Sequence, residues 1–257
     1  MRSLAVHVLP DSFTAFAGAT ASCVVIDVLR ATTTMIHALA AGARAVIPCL
    51  TIDEARRRAA ELPAGTAVLG GERHGLPIEG FDLGNSPAEY TSAEVGGKVV
   101  VLTTTNGTRA LLRAAGARDV VIGAFVNLSA LCRHVADSER LDVICAGTDG
   151  HVTEEDVLLA GAIADRLASN GAWQLDLSAT EARARWLATT AGTSPAQLRA
   201  KLVDSLRGSL GGKNLVAIGM SDDIALAADV DRFAIVPRFN RETARVELPS
   251  PGAINQR

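Results

Sequence analysis

Short apolar runs alternate with helix-like segments through most of the chain. The runs at 3–9, 22–28, 45–49, 66–70, 98–103, 118–122 and 140–146 read as strands. Between them, 32–42, 53–62, 106–115 and 127–137 read as helices. This alternation is the pattern of β-α-β units and predicts a largely parallel sheet covered on both faces. Val99-Val100-Val101-Leu102 is apolar at every position, as burial on both faces requires.

The second half changes character. Residues 153–169, 177–190 and 195–206 read as helices, separated by Asn170-Gly171 and Gly192-Thr193-Ser194-Pro195. A Gly-interrupted helical region follows at 209–229, and late strands at 233–237 and 243–248 can add to a sheet edge. One domain over 1–257, with a helical insertion at about 171–206, is the organisation expected. The segment from Gly70 to Thr91 has little periodicity. A loop of about twenty residues inside a compact domain is uncommon and often functional. Glu72, Asp82 and Asn85 among its glycines argue against a plain surface excursion.

Composition narrows the chemistry. The 257 residues suffice for a substantial core, and 48% are hydrophobic but 4% aromatic, so Ala, Val, Leu and Ile must build it. A formal charge of −3 argues against a nucleic-acid or anionic-membrane surface, so any anion site must be local. The basic residues are mostly Arg, with Lys at 98, 201 and 213. They either grip oxyanions two-handedly or reflect genomic base composition. Cys23, Cys49, Cys132 and Cys145 are scattered without a C-x-x-C pair, which predicts buried reduced thiols rather than a disulfide or zinc site. No apolar run is long enough for a signal peptide or a membrane span, and the expected location is cytoplasmic.

Four polar clusters carry the candidate chemistry. Asp27 ends an apolar run and is followed by Val28-Leu29-Arg30-Ala31-Thr32-Thr33-Thr34, where Thr32 or Thr33 can cap a helix. The second cluster runs from Glu72-Arg73 through Asp82 to Asn85-Ser86. The third is Thr103-Thr104-Thr105-Asn106-Gly107-Thr108-Arg109, and the fourth is Ala146-Gly147-Thr148-Asp149-Gly150 with Thr153-Glu154-Glu155-Asp156. If the strands are parallel, all four converge at one edge, where ligands of open α/β sheets collect. Hydroxyls, backbone amides, Arg30 and Arg109 suit phosphate oxygens. Asp27, Glu72, Asp82, Asp149 and Glu155 offer hard oxygen ligands for Mg²⁺. Each cluster also has a plainer reading: a capped helix with a local ion pair, a β-prone strand end, an Asn-Gly turn, or a capping box at 153–156. His74 is a candidate proton donor or a surface histidine. The P-loop, the Cys-x5-Arg loop and the G-x-S-x-G elbow are absent, and the dinucleotide spacing is missing after the early strands. No D-x-D follows a strand in the aspartyl-phosphate manner, because Asp27 is succeeded by Val28-Leu29.

The combination is more specific than its parts. D-V-L-R-A-T-T-T at 27–34, G-E-R at 71–73, G-F-D-L-G-N-S-P at 80–87, T-T-T-N-G-T-R at 103–109, C-A-G-T-D-G at 145–150 and E-D-V-L-L-A-G at 155–161 together resemble the 2-phosphosulfolactate phosphatase family. Ser209-Leu210-Gly211-Gly212 and Asp222-Asp223-Ile224 are similar to its C-terminal part, whereas 171–206 carries little motif. The resemblance implies an α/β fold, a three-layer α/β/α arrangement with a mostly parallel, mixed sheet and a helix-rich C-terminal half. It also implies a Mg²⁺-dependent phosphatase that hydrolyses 2-phospho-3-sulfolactate to sulfolactate and phosphate, in coenzyme M biosynthesis. The partner is then a small anionic phosphorylated substrate whose concentrated charge accounts for Arg30, Arg73 and Arg109 beside polar loops. Nucleic acid and membrane are not expected partners, and a homo-oligomer is allowed.

On this reading Asp27, Arg30, Arg109, Asp149 and Glu155 are the catalytic set. Arg73, Asn85, Ser86, Thr105, Asn106 and Gly107 bind substrate, and Asp27, Glu72, Asp82 and Asp149 supply metal ligands. Direct attack by a metal-activated water is preferred to an aspartyl-phosphate at Asp27, whose flanking motif is wrong for that class. Arg109→Ala is then expected to remove most activity. A phosphatase for another small phosphorylated hydroxy acid, or a non-catalytic anion-binding protein, remains the alternative.

Overall fold

The computed structural model describes residues 2–14, 21–169 and 171–249. Its strands are β1 (Arg2–His7), β2 (Ser22–Ile26), β3 (Ala45–Cys49), β4 (Ala67–Arg73), β5 (Leu76–Pro77), β6 (Val99–Thr103), β7 (Asp119–Gly123), β8 (Arg140–Cys145), β9 (Trp173–Leu175), β10 (Arg238–Asn240) and β11 (Arg245–Glu247). The helices are α1 (Ala31–Ala40), α2 (Ile52–Ala60), α3 (Ser92–Val95), α4 (Gly107–Ala114), α5 (Leu128–Val135) and α6 (Glu154–Ala168). After them come α7 (Leu177–Thr190), α8 (Pro195–Gly208), α9 (Leu210–Ala217) and α10 (Asp222–Ala227).

The strands form one mixed, mostly parallel sheet in the order β5-β4-β6-β3-β11-β10-β7-β2-β8-β1-β9. Every residue of β2, β3, β6 and β7 is buried, and their apolar runs match helices on both faces, with the polar Ser22, Thr103 and Asp119 at strand ends. Within the sheet, β4, β6 and β3 are mutually parallel, and so are β7, β2, β8, β1 and β9. The short β10 and β11 join these blocks by three successive antiparallel pairings, β7 with β10, β10 with β11, and β11 with β3. The two parallel blocks therefore run in opposite directions.

The core follows from the low aromatic content. On one face α5, α6 and α7 pack Leu131, Leu158, Ile163 and Ala182 against Val24, Ile26, Leu141 and Val143. On the other, α1 and α4 pack Met35, Ile36 and Leu111 against Val25, Val100, Leu102 and Ile122. Helix α2 sets Ala55 on Ala45, Ile47 and Val101. All four cysteines are buried free thiols, as expected; burial pushes Cys23, Cys49 and Cys132 up to about 12, which leaves them protonated. No helix among the described residues is long and apolar enough to cross a membrane.

Three departures from the sequence reading have local causes. The strand expected at 233–237 begins instead at Arg238, because Pro237 has no N–H to donate; its carbonyl accepts the Ile122 amide at 3.0 Å. The region 171–206 opens with β9, which pairs with β1, before α7 and α8. The aperiodic stretch from Gly70 is partly regular. β4 continues to Arg73 and turns at His74 and Gly75, at φ +53° and +80°, into β5. The rest is pinned by Tyr90, whose hydroxyl donates to the Gly84 carbonyl at 2.7 Å. A Cβ at Gly70 would lie 2.2 Å from that hydroxyl oxygen, so a side chain there would displace Tyr90.

A similar close approach holds α6 on α7. A Cβ on Gly161 would stand 2.1 Å from the Ala182 carbonyl oxygen and 2.9 Å from the Trp186 Cβ. Gly161→Ala is therefore expected to destabilise the fold by about 2–3 kcal/mol in urea unfolding, although Ala is the better helix former by about 1 kcal/mol. A gain in stability would show that the two helices separate freely.

Candidate active site

Where the carboxyl ends of the two opposed blocks meet, the chain leaves a cavity of about 320 Å³. Asp27 enters it after β2, Glu72 from the end of β4, Thr104 to Asn106 after β6, and Thr148 and Asp149 after β8. The clusters thus converge between two facing sets of strand ends rather than along one edge of a parallel sheet. Asn85 adds to the wall, and α9 closes one side with Gly211, Asn214, Leu215 and Ala217, joined by Ile218 just past its end.

The loop after β2 is locked by its own side chains. The Asp27 amide donates to Thr32 Oγ1 at 3.0 Å, and that hydroxyl donates to the Asp27 carbonyl at 2.8 Å. Thr33 donates to the Val28 carbonyl in the same manner. Neither threonine caps α1; the Asp27 carboxylate itself accepts the Ala31 amide at 3.1 Å. Asp156, at the start of α6, ties this loop to the one after β8 by accepting the Val28 and Gly147 amides at 2.9 and 3.0 Å. Asp156 therefore braces two cavity walls in place of the expected capping box, since Thr153 makes no side-chain cap.

Negative charge accumulates here. Burial, opposed by the Ala31 amide and reinforced by Glu72 and Glu155, pushes Asp27 up to about 7. Burial, Asp27 and Glu155 hold Asp156 well above the usual carboxylate range, and burial likewise raises Glu155. Arg30 is the nearby cation, but its Nη1 donates to Asp223 Oδ2 at 2.7 Å, in an ion pair with both side chains at most 4% exposed. Glu72 is occupied differently: its carboxylate accepts the Thr105 and Gly75 amides, both at 2.7 Å, bridging the β4 turn to the loop after β6.

The amides of Asn106 and Gly107 make no hydrogen bond among the described residues and sit at the start of α4, the positive end of its dipole, where Asn106 lines the cavity. Gly107 sits tightly against the catalytic candidate: a Cβ there would be 2.6 Å from Asp27 Oδ2. The Asn85 side-chain oxygen is buried with no hydrogen-bond partner, although the residue lines the cavity.

Of the residues singled out from sequence, Asp27, Arg30, Glu72, Asn85, Thr105, Asn106 and Asp149 line the cavity, and Gly107 abuts it. The rest are placed elsewhere. Strand alternation turns Arg73 away from Glu72, and its guanidinium donates to the Glu72 and Leu50 carbonyls and to Thr103 Oγ1. Asp82 is exposed and accepts the Leu69 amide, which ties its loop to β4. Ser86 is buried and donates to Asp223 Oδ1 at 2.5 Å. Glu155 lies beneath α9, its Oε1 at 2.1 Å from where a Gly211 Cβ would be.

Arg109 is exposed and outside the lining, because α4 buries Gly107, Thr108, Ala110 and Leu111 and turns position 109 outward. Contrary to the expectation from sequence, Arg109→Ala should keep kcat/KM within about threefold of wild type. A loss beyond tenfold in steady-state assays would return Arg109 to the site.

Sequence reasoning gives Asp156 only a capping box, sees 209–212 and Asp223 only as part of the family resemblance without a site role, and favours the surface for His74. His74 lines the cavity mouth from the β4–β5 turn. The Gly-Gly pair at 211–212 was a usable signal. Gly211 passes over Glu155, and a Cβ on Gly212 would meet the Leu206 carbonyl oxygen at 1.9 Å.

A family model described as 2-phosphosulpholactate phosphatase matches residues 9–242. A Deinococcus radiodurans protein named probable 2-phosphosulfolactate phosphatase is 40% identical over 237 residues, covering 91% of this chain and 92% of its own. Proteins of the same name from Symbiobacterium thermophilum and Caldanaerobacter subterraneus subsp. tengcongensis are 41% and 38% identical. They cover 84% and 86% of this chain and 90% and 89% of their own lengths.

Proposed function

The chain belongs to the 2-phosphosulfolactate phosphatase family of phosphoric monoester hydrolases, and we propose that it hydrolyses 2-phospho-3-sulfolactate with Mg²⁺, as coenzyme M biosynthesis requires. The observation that carries this reading is the cavity's shortage of positive charge. Asp27, Glu72 and Asp149 line it, while its arginine is already paired with Asp223. A phosphorylated anion needs a further cation to enter such a site.

Asp27 and Asn85 fit that cation. One is a carboxylate that burial and acidic neighbours hold near 7, and the other presents a buried, unpartnered side-chain oxygen. Asp149 stands at the rim. No group of three or more His, Cys, Asp or Glu side chains among the described residues forms a ready cage. That suits Mg²⁺, which commonly binds through one or two carboxylates and completes its shell with water and substrate phosphate. When bound, the ion would polarise the phosphoryl group and acidify a water.

The chain's own groups do the rest. Arg30 and the free Asn106 and Gly107 amides are the donors that would meet phosphoryl oxygens. Glu72 holds the Thr105 loop so that those amides keep their aim, a use different from metal ligation. Asp149 at the rim can accept a proton from the attacking water.

One observation favours the neighbouring reading, a different small phosphorylated hydroxy acid. No Arg or Lys besides the paired Arg30 lines the cavity among the described residues, so a sulfonate would have to rely on donors such as His74 and Asn214. A panel of phosphorylated hydroxy acids, with and without Mg²⁺, scored for inorganic phosphate, separates the readings. Mg²⁺-dependent release greatest for 2-phospho-3-sulfolactate supports the proposal. Preference for a substrate without sulfonate favours the neighbour, and release from none would leave an anion-binding protein.

A further inference from the structure

We propose that Asp223, on α10, is a positioning residue that sets the free N–H groups of Arg30 against the phosphoryl group, and that Ser86 in turn fixes Asp223. The inference rests on the phosphatase reading of the cavity. Asp223 is buried and both of its oxygens are used: Oδ2 accepts from Arg30 Nη1 at 2.7 Å, and Oδ1 from Ser86 Oγ at 2.5 Å. Arg30 is held on two further sides. Nη1 also donates to Met220 Sδ at 2.8 Å, and Nη2 to the Gly75 carbonyl at 2.7 Å.

A guanidinium has five N–H donors. Three are thus directed at Asp223, Met220 and Gly75, which leaves the Nε–H and one Nη2 hydrogen without a hydrogen bond among the described residues. Arg30 lines the cavity, so these remaining donors are the ones available to an oxyanion there. A buried ion pair is poor evidence for stability on its own, because desolvation offsets much of the attraction. Here the pair does something a hydrophobic substitute could not. It immobilises a long side chain whose remaining donors would otherwise sample many rotamers. It also draws the loop after β2, the β4–β5 turn, the Asn85–Ser86 loop and α10 to a single guanidinium.

A double-mutant cycle with Arg30→Lys and Asp223→Asn tests this, because a lysine has no fork for Asp223 to aim. Two readouts are needed: kcat/KM with Mg²⁺, and calorimetric binding of inorganic phosphate to the full-length chain. Asp223→Asn should lower both by at least about tenfold in the wild-type background and by less than about twofold in the Arg30→Lys background. Equal losses in the two backgrounds would overturn the proposal, since they would mean that Asp223 merely supports the fold. Should Asp223→Asn fail to fold, Ser86→Ala keeps the ion pair while freeing one side of Asp223. Its loss, about threefold, should likewise vanish with Arg30→Lys, and persistence there would equally overturn the proposal. Failure of the wild-type protein to hydrolyse any phosphate ester would reject the phosphatase reading, whereas the phosphate-binding cycle would still decide the role of Asp223.

Discussion

Asp27→Asn should lower kcat/KM by about a thousandfold or more while making the metal-free protein more stable at alkaline pH. The first effect follows from removing the charged oxygen best placed to hold a cation; the second follows from the proton. Burial, with help from Glu72 and Glu155, holds the Asp27 carboxyl at about 7 against an ordinary 3.8. Between those values the folded protein keeps a proton that the unfolded chain has released. The associated stability is fully present below about pH 4 and is lost as pH rises through 7. Asparagine never ionises, so the variant escapes that loss. The gap between variant and wild type should be near zero at pH 4 and grow to a few kcal/mol at pH 8, with about 4 kcal/mol as a ceiling. Urea unfolding at both pH values in chelator measures it. Added Mg²⁺ should stabilise the wild type and narrow the gap at pH 8. A variant less stable than wild type at every pH would mean that the carboxylate, through its bond to the Ala31 amide, serves the fold before the chemistry.

The elements legible in sequence share a physical property: their pattern is local. β2, β6 and β7 centre on the buried apolar runs 23–26, 99–102 and 120–122, so a continuous hydrophobic run identified them, and polar groups after a run marked Asp27, Thr105 and Asn106 as loop residues at strand ends. What remained hidden depends on contacts between distant segments. Arg30 and Asp223 are 193 residues apart, and nothing in either neighbourhood announces the other. The reversal between the two parallel blocks rests on two three-residue strands, each meeting its block through a single paired residue. Such short strands barely register in a periodicity search. Arg73 was recoverable in part. In a strand continuing through Glu72, the next residue must point to the opposite face, and recognising that β4 extends to position 73 would have separated the two. Arg109 was misplaced for the helical counterpart of the same reason, since two residues along α4 from Gly107 is about 200° around the axis.

Gly107→Ala tests whether the start of α4 must rest directly on the Asp27 carboxylate. The added methyl carbon would lie 2.5 Å from the Ala31 Cβ and 2.6 Å from Asp27 Oδ2. The two clashes differ in kind. Ala31 belongs to the rigid first turn of α1, so relieving that contact requires moving one helix against another. Asp27 Oδ2 is the free end of a carboxylate whose Oδ1 accepts the Ala31 amide, so it can turn aside only by weakening that bond. The variant should lose about 1–3 kcal/mol of stability, typical of overpacking, and about a hundredfold in kcat/KM because the reactive carboxylate and the α4 amides both shift. Adding Ala31→Gly separates the contributions. It removes the methyl–methyl conflict but not the contact with Asp27, so the double variant should regain stability relative to Gly107→Ala after allowance for about 1 kcal/mol of glycine helix cost. Its kcat/KM should remain low. Recovery of activity in step with stability would instead show that the helix start acts on catalysis through packing alone, and that its contact with the Asp27 carboxylate is incidental to the chemistry.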